Sequence, residues 1–95
     1  MKKSESEIAG IIKILGALDS PLRLRIVLLL NEREHYVHEL VSTLEKSQPL
    51  ISQHLRVLKK AGIVESERAG REVTYRLVTP DIMQLVEMAQ SFSYE

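Results

Sequence analysis

Apolar residues recur at Ile8, Ile11, Ile12, Leu15 and Leu18. Steps of three and four residues put them on one face of a helix. Asp19-Ser20-Pro21 then breaks and restarts the chain. Ser20 suits an N-cap, and Pro21 suits the first helical position, where a missing N–H costs nothing. The next segment, LRLRIVLLL, starts by alternating and ends as an apolar run. Periodicity alone allows a strand. The cap and the leucine content favour a helix, buried on nearly all sides at its end. Asn31 to Glu34 reads as a polar connector. Val37, Leu40, Val41 and Leu44 then predict a short amphipathic helix, followed by a turn at Glu45-Lys46.

KSQPLISQHLRVLKKAG, from Lys46 to Gly62, reads as one helix with a stop signal. Ser47 is the candidate N-cap and Pro49 falls in the first turn. Ile51, Leu55 and Leu58 form a buried stripe, and Gly62 is the expected C-terminal stop. Beyond it, IVESER and EVTYRLV are β-branched and partly alternating. With Ala69-Gly70 at the turn, they predict a hairpin. Pro80-Asp81 opens a last helix with Ile82, Leu85, Val86 and Ala89 on one side. The predicted order is α-α-α-α-β-β-α, mainly α with a small β-hairpin, in a single domain over residues 1–95.

The chain has 44% apolar residues, enough for one core, and no run long enough to span a membrane. MKKSESEIAG carries two lysines, but no apolar signal-peptide segment follows them. The expectation is a cytoplasmic protein with no membrane partner. Without cysteine there is no disulfide and no thiolate metal site. The net charge is zero, but Lys46 to Arg76 holds seven basic and three acidic residues, a net +4. The remainder carries −4. A neutral protein polarised in this way can present a basic surface.

The helix from Ser47 has an outward face of Ser, Gln, His, Arg and Lys. No Asp or Glu occurs from Lys46 to Val64. Two helices joined by a short turn, the second with such a face, follow the helix-turn-helix plan. Hydroxyls, amides and guanidinium groups can donate and accept at base edges, whereas a carboxylate would repel phosphate. The candidate DNA contacts are Ser47, Gln48, Ser52, Gln53, His54 and Arg56, with Lys59 and Lys60 toward the helix end. Arg68 and Arg71, at the hairpin tip, could reach phosphates or a narrow minor groove.

ELVSTLEKSQPLISQHLRVLKKAGIVESERAGREVTYRL resembles the winged-helix core of the ArsR/SmtB repressors. SQPLISQHL is similar to the family's recognition helix, LKKAGIVESERAGREVTYRL to its wing and SPLRLRIVLLL to its second helix. The similarity spans roughly residues 15–80. The zinc-responsive actinobacterial branch, in which VHEL also precedes the recognition helix, is the most similar. The resemblance implies a dimeric winged helix-turn-helix repressor that binds a palindromic operator in double-stranded DNA and is released by an inducer. It implies dimerisation through terminal helices, here 6–18 and 80–94. Ile8, Ile11, Ile12, Leu15, Ile82, Leu85, Val86 and Ala89 are the candidate contacts, and their apolar stripes have little else to cover them.

The family's sensor positions are altered. Its Cys-x-Cys pair falls on Tyr36 and His38. Its Asp-x-His pair falls on Thr79 and Asp81, and its late His and Glu on Phe92 and Glu95. Zinc remains a candidate inducer only through His35 and His38, which could share a helical face with Glu34 or Glu39. Zinc needs three or four ligands, and two good ones are evident. Two other classes stand beside the repressor: a metal-independent or protein-binding winged helix, and an enzyme. Against an enzyme, the chain has no Ser/His/Asp set, no phosphate-cradling Gly loop and no zinc-protease motif.

Overall fold

Ser4 caps the first helix reciprocally. Its hydroxyl accepts the Glu7 N–H at 3.1 Å, and the Glu7 carboxylate accepts the Ser4 N–H at 2.7 Å. Helix α1 (Glu5–Leu18) follows in the computed structural model, which describes residues 2–93. Ser20 accepts the Arg23 N–H at 3.2 Å and starts α2 (Pro21–Glu32). The helix continues through Asn31 and Glu32, which the sequence reading gave to a connector. Neither residue breaks a helix, and the Arg33 N–H still reaches the Leu29 carbonyl. Nor is its end buried all round. Ile26, Val27 and Leu30 face the core, but Leu28 is 42% exposed.

His35–Tyr36 is a two-residue strand, β1, that periodicity did not reveal. It is too short to show alternation. Helix α3 (Val37–Leu44) begins at its end. Glu45, in the left-handed region at φ 55°, turns the chain toward α4 (Gln48–Lys60). Ser47 accepts the Leu50 N–H at 3.3 Å and serves as the expected N-cap.

Ile51, Leu55 and Leu58 of α4 are fully buried against Ile26, Val27 and Leu40. Each such side chain contributes about 1.5–3 kcal/mol of transfer free energy. Two hydrogen bonds close the end of α4. The Ile63 N–H donates to the Leu58 carbonyl, and the Gly62 N–H donates to the Lys59 carbonyl. This is the Schellman arrangement, and it needs Gly62 at φ 81°.

Strands β2 (Val64–Ala69) and β3 (Glu72–Leu77) form the expected hairpin, with Gly70 at φ 65° in its turn. The sheet has three antiparallel strands in the order β1-β3-β2, and His35 lies opposite Tyr75. The winged helix-turn-helix architecture holds, with β1 added. Helix α5 (Ile82–Ser91) closes the order. Its expected span ran from Pro80, which precedes the helix, to residue 94, which lies outside the described residues. No helix among the described residues is long and apolar enough to cross a membrane.

A Cβ added at Gly62 would meet nothing within 4 Å, so a substitution there strains only the backbone. Gly62→Ala is expected to cost about 1–2 kcal/mol, read as a lower denaturant midpoint with an unchanged slope.

Candidate nucleic-acid interface

Successive residues of α4 are rotated by about 100°, so the buried stripe fixes where every other side chain goes. Gln53, Arg56 and Lys60 lie opposite the stripe and are exposed. Gln48, Ser52 and Lys59 lie on the flank toward the β2–β3 hairpin. The Gln48 amide donates to the Ser52 hydroxyl at 3.1 Å, which orients both groups. The Lys59 ammonium donates to the Ser66 hydroxyl of β2 at 2.8 Å. Lys59 therefore ties the helix to the wing. Ser47 is exposed, with its hydroxyl engaged as the N-cap.

Strand alternation sorts the hairpin's charges. Ser66, Arg68, Val73 and Tyr75 share the face toward α4 and line a groove there with Gln48 and Ser52. No carboxylate lines it. Glu65 and Glu67 are on the other face. Both accept from the Arg76 guanidinium, at 3.0 and 3.2 Å, and both hold it charged above its ordinary range, Glu65 more strongly. Glu72 lies 3.4 Å from the His38 imidazole. All three acidic residues of the basic segment thus have partners. Among the described residues, Arg56, Lys60, Arg68 and Arg71 have no ion-pair partner.

His54, expected as a DNA contact, faces another helix. It sits on the flank of α4 away from the hairpin, and its Nδ1 lies 3.0 Å from Arg23 Nη1. Guanidinium only donates, so Nδ1 accepts and His54 is neutral in this arrangement. Burial first, and then the Arg23 charge, push its pKa below the ordinary 6.5. Sequence reading missed Arg23. Nothing local marks it, because its partners lie six, seven and thirty-one residues away.

His35 and His38 do not share a helical face. His35 belongs to β1, is 4% exposed, and donates from Nδ1 to the Arg33 carbonyl at 2.9 Å. His38 is exposed on α3 and stacks on Tyr36 with ring centroids 5.2 Å apart. Glu39 accepts from Arg33 at 3.1 Å and from the Tyr36 N–H at 2.8 Å. These bonds, Arg33's foremost, hold its carboxyl below its usual range. Among the described residues no three His, Cys, Asp or Glu side chains are grouped to hold a metal. At the second family position, the Thr79 hydroxyl accepts the Asp81 N–H at 3.2 Å. Phe92 there carries no ligand atom, and Glu95 lies outside the described residues. The donor sets at both positions do not fit zinc.

On the terminal helices, Ile8, Ile11, Ile12 and Leu15 of α1 are exposed. Ile82, Leu85 and Val86 of α5 are half-buried, and Ala89 is exposed. Ile12, Leu15, Leu85, Val86 and Ala89 border one apolar groove. Met88 and Phe92, the latter 74% exposed, extend the apolar surface beyond the expected residues.

Residues 20–66 match the family described as bacterial regulatory protein, arsR family. The HTH-type transcriptional repressor SmtB of Mycobacterium tuberculosis is 51% identical over 74 residues, covering 78% of this chain. The chain spans 55% of that relative's length. The biofilm growth-associated repressor of Xylella fastidiosa is 40% identical over 86 residues, covering 90% of this chain and 73% of the relative. The homodimeric winged helix-turn-helix DNA-binding domain of a Mycobacterium bovis protein superposes with a TM-score of 0.83 at 25% identity. That superposition covers 97% of this chain and 88% of the other.

The depressed His54 pKa sets a sign for pH dependence. The unfolded chain takes up the proton first, so the stability from neutral His54 is full above 6.5. It is lost as pH falls through the folded-state value. Between about pH 7.5 and 5.5 the thermal midpoint is expected to fall further in the wild type than in His54→Gln. Parallel curves for the two proteins would contradict the lowered His54 pKa.

Proposed function

The chain belongs to the arsR family of bacterial regulatory proteins, and on that premise we propose that it is a homodimeric, sequence-specific repressor that binds duplex DNA. The observation that carries this reading is the carboxylate-free groove between α4 and the hairpin, lined by Lys59 and Arg68, neither of which has an ion-pair partner among the described residues. A helix of 13 residues presenting Gln53 and Arg56 outward suits a major groove. Arginine can bond guanine O6 and N7 together, and glutamine can do the same with adenine N6 and N7. Arg68 and Arg71 on the hairpin suit phosphates or a narrow minor groove. The DNA face comprises Ser47, Gln48, Ser52, Gln53, Arg56, Lys60, Arg68 and Arg71. Lys59 contributes charge from beside Ser66.

The exposed apolar face of α1 and α5 supports a homodimer. Isolated apolar side chains are common on surfaces, but here they are contiguous over two helices. A two-fold dimer would place its α4 copies one helical turn apart, about 34 Å, on a palindromic operator. Release through zinc at the family's two metal positions is not part of the reading.

Arg56→Ala is expected to weaken a duplex selected from a random pool by about 1–3 kcal/mol and to relax preference at one position. Arg71→Ala is expected to weaken all duplexes alike and to lower the salt slope by about one. Fluorescence anisotropy across a salt series reads both, and wild-type affinity in both variants would exclude this face. Ile12→Glu is expected to give a folded monomer by light scattering; an unchanged dimer mass would place the interface elsewhere.

A further inference from the structure

We propose that Arg23 is a positioning residue for DNA recognition, holding α4 at a set angle to the end of α1 through His54. The inference rests on the DNA-binding reading and adds a residue that lies off the proposed DNA face.

Arg23 sits half-buried in the first turn of α2 and bonds to both neighbouring helices. Its Nε donates to the Ala17 carbonyl at 2.7 Å, and its Nη2 donates to the Gly16 carbonyl at 3.3 Å. Its Nη1 donates to His54 Nδ1 at 3.0 Å. Gly16 and Ala17 are in the last turn of α1, where the Gly16 carbonyl also accepts the Asp19 N–H at 3.2 Å. That turn contains no basic residue of its own. Arg23 supplies the missing cation at the negative end of the helix.

The bond to His54 then does what the core cannot. Ile51, Leu55 and Leu58 hold α4 against the core, but apolar burial is non-directional and tolerates small rotations. A planar guanidinium with three fixed partners does not. One side chain thereby links the helix proposed to dimerise with the helix proposed to read bases. In a two-fold dimer any error in that angle is repeated in the partner. It changes both the separation and the inclination of the two α4 helices, so it acts on the fit to paired half-sites. Attraction to phosphate tolerates such errors.

The test selects a duplex from a random-sequence pool with the wild-type protein. It compares binding of that duplex with binding of a scrambled duplex of equal length and composition. Arg23→Gln, Arg23→Lys, His54→Gln and the Arg23→Gln/His54→Gln double variant are measured at a temperature where circular dichroism shows them folded. The expected result is a loss of about tenfold or more on the selected duplex for Arg23→Gln, with the scrambled duplex within about twofold. Arg23→Lys recovers part of the loss. The double variant is no weaker than the weaker single, since the two residues act through one bond. One base pair inserted between the half-sites penalises Arg23→Gln less than the wild type.

Equal losses on both duplexes would reduce Arg23 to a general stabiliser and overturn the inference, as would additive losses, which would return His54 to an independent role. If Arg23→Gln fails to fold, Arg23→Lys and His54→Gln carry the same comparison. Failure of the wild type to enrich any duplex would overturn the DNA-binding reading itself, and this inference with it.

Discussion

Burial of three side chains on one helix governs most of what this chain presents to its surroundings. Ile51, Leu55 and Leu58 have no exposed surface. A helix held along one side by apolar burial has its remaining residues assigned by geometry to solvent or to the flanking elements. Gln53 and Arg56 face outward because the stripe faces inward. Gln48, Ser52 and Lys59 face the hairpin for the same reason, and His54 faces Arg23. A polar substitution in the stripe would therefore do more than loosen the core. It would remove the reference from which the outer face is oriented.

Charge is sorted by the same logic in a second type of element. The protein is neutral overall, yet the groove beside α4 contains no carboxylate. Alternation along β2 puts Ser66 and Arg68 on one face and Glu65 and Glu67 on the other. Arg76 then occupies both acids, and His38 lies beside Glu72. Glu65 and Glu67 are thus paired on the far face, while Arg68 and Arg71 have no ion-pair partner among the described residues. Net charge would have hidden this, because the field at a surface depends on placement.

Local signals carried most of the fold into the sequence. The Ser20 and Ser47 caps, the Pro21 start, the Gly62 stop and the hairpin turn each act within a few residues. Each was legible. What was not legible acts at a distance. Strand β1 exists only because His35 and Tyr36 meet Tyr75 and Thr74. Two residues carry no periodicity, so no strand was expected there, and His35 read as a helical ligand rather than a buried strand side chain. The basic face of α4 was visible as a run without carboxylates. The division of its members was not, because Lys59 and His54 are turned aside by Ser66 and Arg23 on other elements.

Strand β1 has one further consequence. It leads directly into α3, pairs with β3, and so brings the chain back to where the helix-turn-helix begins. Helix α3, the turn, α4, the Schellman bend and the hairpin then form a ring closed by main-chain hydrogen bonds. A ring of that kind has no loose end to swing. Deforming it internally would break sheet or helix bonds, whereas moving it whole against α1 and α5 disturbs side-chain packing and the Arg23 bonds. A displacement of the ring therefore carries Gln53, Arg56, Arg68 and Arg71 together as one body.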